Sequence, residues 1–119
     1  MVLNIDTTNK ECLIELIGQK KTSLKWQWQK DTGSEVLGKI KQLLKQQKKQ
    51  LRDLKMILVN LGPGSFTGTR VGITIANTLG WVLDIAVIGY RDGELKKALA
   101  KISQNGKSNF SKLALPYYS

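Results

Sequence analysis

Asp6 is the residue of this sequence best placed for acid or metal chemistry, because it follows the strand-like segment VLNI. Two-metal hydrolysis requires several carboxylates that converge on one point. The equivalent end of a later strand-like segment, MILVN, carries Asn60, and only Glu35 on the first predicted helix offers a second carboxylate. We therefore expect no catalytic, metal-binding or cofactor-binding residue. We expect Asp6 instead to hydrogen-bond the following turn through Thr8 or Asn9.

Histidine and cysteine, two other residue types that are common in catalytic sites, do not indicate a site in this sequence. The 119 residues contain no histidine, which removes the commonest general base and the commonest zinc ligand. The one cysteine, Cys12, lies in an apolar segment, where a buried thiol is expected rather than a nucleophile or a disulfide. These observations argue against zinc hydrolase and Ser-His-Asp chemistry.

A glycine-rich segment, NLGPGSFTGTRVGITIANTLG at residues 60–80, raises the possibility of a phosphate-binding loop. A P-loop requires lysine after its last glycine, where this chain has Thr69. The spacing of Gly62, Gly64 and Gly68 also departs from the dinucleotide fingerprint, and Pro63 lacks the amide that an anion would need. Both phosphate interpretations are weak, although the amino end of the following helix could still bind an anion.

Small residues recur at every fourth position of the helix predicted from about Ser65 to Val82, namely at Gly68, Gly72, Ala76 and Gly80. One stripe of this helix therefore has almost no side chains, and a neighbouring backbone could approach it closely. An apolar row runs beside the stripe, and periodicity does not decide whether the row faces the chain's own sheet or another chain. Its members are Val71, Ile75, Leu79 and Val82.

The formal net charge of +10 favours association with an acidic partner such as RNA, a membrane surface or an acidic protein face. A basic set falls on one face of the first predicted helix, which we place from about Ser34 to Leu51. It can be a solvated face that keeps the protein soluble, or a phosphate-tracking stripe that contacts tRNA. Its members are Lys41, Lys45, Lys48, Lys49 and Arg52.

The pattern of apolar residues predicts the element order β-β-β-α-β-α-β, followed by a third helix in GELKKALAKIS. This order indicates an α/β fold, in which an antiparallel three-strand meander is continued by parallel strands with helices packed on the sheet. Trp26, Trp28 and Trp81 are expected to pack, in the core or at an intersubunit contact, rather than to stack on bases. No apolar run is long enough to span a bilayer, and we find no leader peptide, so a cytoplasmic protein is expected.

Three segments give this sequence a resemblance to a known family. LNIDTT at the start, GPGSFTGTRVGITIANTLG in the middle and IAVIG after it resemble the bacterial TsaB (YeaZ) family, whose pattern is close to IDTS and GPGSFTGLRIG. Seven consecutive residues from Gly62 to Gly68 match, with Arg70 and Gly72 in step. The resemblance covers residues 1–90 as an amino-terminal actin-like domain. Residues 91–119 are expected to add a helix and a short tail that complete the same domain.

The resemblance implies an actin-like, ribonuclease H-like half-domain that acts as a non-catalytic scaffold in making threonylcarbamoyladenosine on tRNA, next to the anticodon. It implies a heterodimer with a TsaD-like subunit, recruitment of a TsaE-like ATPase, and a homodimer through the same two helices. The alternative is a small basic module that contacts tRNA directly. The pairing surface implied on this chain comprises Leu37, Ile40, Leu44, Gly68, Gly72, Ile75, Ala76 and Leu79.

The chain departs from the family pattern in three respects. Family members usually run to about twice this length with a second, similar domain, which puts recruitment of the TsaE-like ATPase in doubt. A histidine often precedes the first helix in the family, where this chain has DTGSEV, and the first helix here is unusually rich in lysine. A separate observation concerns ATP chemistry: actin-like ATPases use a D-x-G-T loop for phosphate, and DTTN in this chain lacks the glycine that such a loop needs.

Overall fold

The computed structural model describes residues 1–28 and 32–105, and in them five strands form a single sheet in the order β3-β2-β1-β4-β5. Helices α1 and α2 pack on one face of this sheet and α3 on the other. The predicted fold class and element order are confirmed. The strands are β1 (Val2–Asp6), β2 (Glu11–Ile17), β3 (Lys21–Gln27), β4 (Met56–Asn60) and β5 (Ala86–Tyr90). The helices are α1 (Thr32–Gln46), α2 (Phe66–Leu83) and α3 (Leu95–Asn105), with a short 3₁₀ helix at Leu51–Asp53.

Strand pairing brings the chemically interesting residues to one edge of the sheet. β1 pairs antiparallel with β2 and parallel with β4, so that Leu3 lies opposite both Leu16 and Ile57. β4 in turn pairs parallel with β5. The carboxyl ends of β1, β4 and β5 therefore share an edge, where Asp6 and Asn60 lie beside the loops that lead into α2 and α3.

The two faces of the sheet bury different sets of residues, because side chains alternate along each strand. Leu3, Ile5 and Ile57 point toward α1 and α2 and are fully buried in the larger core. On the opposite face, Leu58 and Tyr90 form a smaller cluster with Ala98 of α3. Residues 91–105 thus pack on the same sheet. The predicted tail at 106–119 lies outside the described residues, and the domain division at residue 90 stays a prediction.

Helix α1 ends at Gln46, five residues before the predicted end at Leu51. Lys48 adopts a left-handed backbone conformation with φ of 56°. The amide of Lys48 donates to the Lys45 carbonyl at 3.1 Å, and the amide of Lys49 donates to the Leu44 carbonyl at 2.8 Å. This pair of bonds is the Schellman ending of a helix, which reverses the chain. Periodicity continued past the real end because leucine recurs at Leu51 in the 3₁₀ helix.

Helix α2 begins with Ser65 as its N-cap, whose hydroxyl accepts from the Gly68 amide at 3.2 Å. Its small-residue stripe faces the chain's own sheet. Of the apolar row beside it, Val71, Ile75 and Leu79 pack partly buried against the same core, and Val82 is exposed. A Cβ added at Gly68 would collide with the Thr7 carbonyl, and one at Gly72 would collide with the Thr7 hydroxyl. The Thr7 hydroxyl also donates to the Gly68 carbonyl. β1 therefore occupies the groove, and Gly68, Gly72 and Ala76 are buried and closed to a partner, contrary to expectation.

Within the described residues, no helix combines the length and the apolar character needed to cross a bilayer.

Candidate functional site

The outer face of α2, together with the adjoining part of α1, is the most apolar exposed surface among the described residues. In residues 1–28 and 32–105, the large hydrophobic side chains that stay exposed all lie on these two helices. Trp81 is 81% exposed, Val82 65%, Phe66 56% and Leu37 42%. Exposed apolar area concentrated on one surface is typical of a contact with another molecule. We name Leu37, Phe66, Trp81 and Val82 the apolar face.

An open groove of about 410 Å³ lies within this surface at the amino ends of both helices. Phe66 and Arg70 form one side, and the Arg70 guanidinium lies 5.3 Å from the centre of the Phe66 ring. Val71 and Ile75, which are half-buried, form the apolar floor against the core. Its lining comprises Gly33, Phe66, Thr67, Arg70, Val71, Thr74 and Ile75.

The charge of α2 distinguishes it from the rest of the chain. Its 18 residues, FTGTRVGITIANTLGWVL, include a single charged side chain, Arg70, although the whole chain carries 19 lysines and arginines. An exposed helix of a soluble protein normally has a charged outer face. The outer face of α2 instead carries threonine and apolar residues, which are inexpensive to remove from water when a partner binds.

The residues predicted for the pairing surface divide into two groups. Leu37 is exposed and Ile75 and Leu79 are half-buried beside the groove or the core, so these three remain available to a partner. The other five are buried in the chain's own core, because the stripe and the inner face of α1 point toward the sheet. They are Ile40, Leu44, Gly68, Gly72 and Ala76.

Several residues of this surface were missed by sequence reasoning. Phe66, Arg70, Thr74 and Trp81 share one side of α2, at spacings of four, four and seven residues. Trp81 is 81% exposed, which rules out the core position and leaves the intersubunit contact as the remaining expectation for it. The sequence did contain a signal for this surface, namely the scarcity of charge along α2. A helix with one charged residue in 18 lacks the charged face that normally contacts solvent.

At the carboxyl edge of the sheet, the carboxylate of Asp6 is held by donors from the protein. Its Oδ1 accepts from the Thr8 amide at 3.1 Å and from the Thr8 hydroxyl at 2.7 Å, which confirms the predicted turn bond. Its Oδ2 accepts from Asn60 Nδ2 at 3.0 Å. Asn60 Nδ2 also donates to Asp92 Oδ1 at 2.9 Å, so the amide joins two carboxylates. Asp92 was not foreseen, because its loop is irregular.

The residues at the same edge of the sheet can be examined as a site for a metal ion or a phosphate group. Among residues 1–28 and 32–105, no group of three or more His, Cys, Asp or Glu residues could hold a metal ion. The glycine-rich loop uses its amides within the protein: Gly62 donates to Asn60 Oδ1 at 2.9 Å, and Ser65 donates to the Thr8 carbonyl at 2.8 Å. These bonds give the loop a structural task in fixing the start of α2.

The basic set does not lie on one helical face, because α1 ends before Lys48. The reversal of the chain instead gathers four of its members around an open depression of about 490 Å³ at the carboxyl end of α1. Arg52 is exposed on the 3₁₀ helix and is not among the residues that line it. We name this lysine-lined region the basic depression; its lysines are Lys41, Lys45, Lys48 and Lys49.

Cys12 is fully buried, as predicted. Burial raises the pKa of its thiol from 9.0 to about 11, and the nearby carboxylates of Asp6 and Glu35 act in the same direction. A thiol with this pKa is almost entirely protonated at neutral pH and is a poor nucleophile. Cys12 is paired across the strands with Trp26, which is half-buried against the core.

Comparisons with known proteins agree with this geometry. A family model described as TsaD: tRNA N6-adenosine threonylcarbamoyltransferase matches residues 29–107. The tRNA threonylcarbamoyladenosine biosynthesis protein TsaB of Bacillus subtilis is 39% identical over 67 residues, covering 56% of this chain and 26% of that protein. TsaB of Buchnera aphidicola is 34% identical over 90 residues, covering 75% of this chain and 43% of that protein.

The fold has a close counterpart among solved structures. YeaZ from Pseudomonas aeruginosa superposes with a TM-score of 0.74 at 24% identity, over 87% of this chain and 49% of that chain. The superposition shows that this chain shares the YeaZ fold, and the match to the TsaD family model supports the predicted actin-like, ribonuclease H-like class. The chain thus spans less than half the length of each of these three relatives.

Proposed function

Because this chain belongs to the TsaB (YeaZ) family, we propose that it is a non-catalytic subunit that docks on a TsaD-like partner for threonylcarbamoyladenosine modification of tRNA. The observation that carries the proposal is the apolar face on α1 and α2. The names of the related proteins indicate the pathway, threonylcarbamoyladenosine biosynthesis. The exposed apolar residues of this chain provide a surface on which a partner can bind.

The outer face of α2 has the length and chemistry of a helix-packing surface. Phe66 and Trp81 are 15 residues apart, which corresponds to about 22 Å along the helix axis. Two helices of a partner can lie along α1 and α2 and bury these side chains in a shared bundle. Phe66, Trp81 and Leu37 then become the anchors, since a few large apolar residues usually carry most of the binding free energy.

The contacts of Asp6 support a non-catalytic role. Its two carboxylate oxygens accept bonds from Thr8 and Asn60, and Asn60 is shared with Asp92. A carboxylate held in this way orders the turn after β1, and that turn places Thr7 against α2. In our proposal Asp6 therefore has a structural role in ordering this turn, and the catalytic residues belong to the partner.

A homodimer through α1 and α2 uses the same apolar face, so it competes with the TsaD-like subunit. Recruitment of a TsaE-like ATPase does not follow from this surface, and we expect it to depend on the second domain of the family. Cytoplasmic localisation, where tRNA is modified, is part of the same proposal.

The proposal is tested by pairing with a TsaD-like subunit from the same organism, measured by size-exclusion chromatography with light scattering and by titration. We expect Phe66→Asp and Trp81→Asp each to weaken pairing by at least about 100-fold, because each places a charge where an apolar anchor is buried. Both residues are exposed in the monomer, so the unfolding temperature should change by less than about 3 °C.

Ala100→Asp is the matched control, since Ala100 is exposed on α3 at the opposite face of the sheet. It introduces the same charge and should leave pairing within about twofold of the wild type. Normal pairing of both α2 variants, with the control also normal, contradicts docking through the apolar face. Light scattering of the chain alone measures the competing homodimer, which the same two variants should dissociate.

A further inference from the structure

The basic depression at the end of α1 is a second surface that partner docking does not use. The Schellman ending turns the chain back, so that Lys48 and Lys49 lie next to Lys41 and Lys45 of the last helical turns. Leu44, Gln50 and Leu51 complete the lining, and no acidic residue is part of it. Four positive charges therefore surround one concavity.

The positive charge of this region is not neutralised within the described part of the protein. The ion pairs found there involve Lys21, Lys25 and Lys97, and none of the four lysines of the basic depression. The nearest acidic residue in sequence, Asp53, accepts a hydrogen bond from the Gln50 amide at 2.8 Å. A larger depression of about 870 Å³ continues from this one, shares Lys48 and Lys49, and adds both Lys20 and Asp53.

Lys48 carries its charge in a backbone conformation that has a local cost. A left-handed residue after a helix is usually glycine, because a side chain there is unfavourable by about 1 kcal/mol. This chain places lysine at that position with φ of 56°. Asp84 has the same left-handed conformation at the end of α2, with φ of 54°, and Lys48 is the member of the basic depression that adopts it.

We propose that the basic depression binds the phosphate backbone of tRNA. Peripheral binding to a bilayer combines basic residues with apolar side chains that insert among the lipids. The apolar residues here do not project in that way, because Leu44 is buried and Leu51 is half-buried against the core. The ammonium groups of lysines around a concave surface can instead contact the phosphates of a nucleic-acid backbone that lies in it.

The proposal goes beyond docking, since the contact with tRNA is made by this chain without the TsaD-like subunit. Neutralisation of about four phosphates gives a slope of about −3.6 in a plot of log affinity against log salt concentration. Affinity should then fall about 150-fold between 50 and 200 mM KCl. A protein attracted only by its net charge should show weaker and less localised binding.

The test uses the full chain and a fluorescently labelled, in vitro transcribed tRNA, with affinity measured by anisotropy at four KCl concentrations. The depression variant carries Lys41→Gln, Lys45→Gln, Lys48→Gln and Lys49→Gln. We expect it to bind at least about 50-fold more weakly at 100 mM KCl and to lose most of the salt slope. Circular dichroism and the unfolding temperature establish that both proteins are folded.

The matched control removes the same charge elsewhere, through glutamine at Lys10, Lys25, Lys96 and Lys101, all of which are exposed. It should bind tRNA within about fivefold of the wild type. Equal loss in both variants overturns the proposal, because net charge then explains the binding. A wild type that binds vesicles containing 30% phosphatidylserine and not tRNA overturns it as well.

The tRNA test and the pairing test fail independently. Loss of pairing in the α2 variants with normal tRNA binding supports both proposals. Normal pairing in the depression variant, together with an undiminished affinity for tRNA, contradicts the tRNA contact and leaves the docking proposal intact.

Discussion

The apolar face and the basic depression lie on neighbouring helices and differ in almost every property. α2 has one charged residue in 18, whereas the depression at the end of α1 brings four lysines together. Removal of the apolar face from water on binding costs little free energy. The charges of the depression instead attract a partner over a longer distance. The net charge of +10 is therefore a poor guide to the surface, because the outer face of α2 has almost no charge and the depression at the end of α1 has four lysines.

This segregation separates two kinds of recognition. Burial of Phe66 and Trp81 in a partner depends on shape and apolar area, which salt hardly changes. Contacts of Lys41 and Lys45 with phosphates depend on released counterions and therefore on salt. Under the two proposals, one small domain holds a protein partner and an RNA on separate surfaces, and the two do not compete.

The sharpest way to break the comparison is to measure both affinities over the same range of salt. We expect binding to tRNA to fall about 150-fold between 50 and 200 mM KCl, for four phosphate contacts. Pairing with the TsaD-like subunit should change by less than about threefold over that range, because exposed charges contribute little to an apolar contact. Titration by anisotropy and by calorimetry provides the two values. A steep salt dependence of pairing would show that the partner also contacts the lysines.

A second experiment asks whether the small-residue stripe serves the core or a partner, by making the same substitution on two helices. Gly72→Ala should lower the free energy of unfolding by roughly 2 kcal/mol, because the new methyl group collides with Thr7. Gly38→Ala on α1 should raise it by up to about 1 kcal/mol, since nothing lies within 4 Å of an added Cβ there. Urea denaturation measures both.

The comparison of these two alanine variants is informative in either direction. Opposite signs identify the stripe as core packing. If Gly72→Ala leaves the free energy of unfolding unchanged and abolishes pairing, the stripe is the docking groove, and our assignment of the apolar face is wrong.

Much of the fold could be predicted from the sequence, because each strand and helix has a regular apolar pattern. The alternation around Leu3 and Ile5, and the helical spacing of Val36, Ile40 and Leu43, are set by burial and so reflect the real core. The bond from Thr8 to Asp6 was also predictable, since it is local and uses residues two positions apart.

The orientation of the stripe and the end of α1 could not be predicted, for physical reasons. A repeat of four residues gives a stripe on α2 but not the object that it faces, and contact with Thr7 depends on tertiary packing. The end of α1 depends on the left-handed conformation of Lys48, which is normally signalled by glycine. The sequence left a core and an intersubunit position open for Trp81, because burial of a large apolar residue depends on tertiary packing, and its exposure excludes the core.

The smallest expected effect concerns Lys48, where the needs of the fold and of the basic depression conflict. Lys48→Gly should raise the free energy of unfolding by about 1 kcal/mol, because glycine adopts the left-handed conformation without steric cost. The same variant should weaken tRNA binding by about three- to tenfold, since one phosphate contact is lost. Urea denaturation and anisotropy on one preparation give both values.

Lys48→Gln separates the two contributions, because glutamine removes the charge and keeps a side chain on the left-handed residue. It should match Lys48→Gly in tRNA affinity and match the wild type in stability. A Lys48→Gly variant that is more stable and binds tRNA as well as the wild type would mean that the lysine has no role at this position. The opposed changes that we expect instead identify Lys48 as a residue whose side chain favours tRNA binding at the expense of stability.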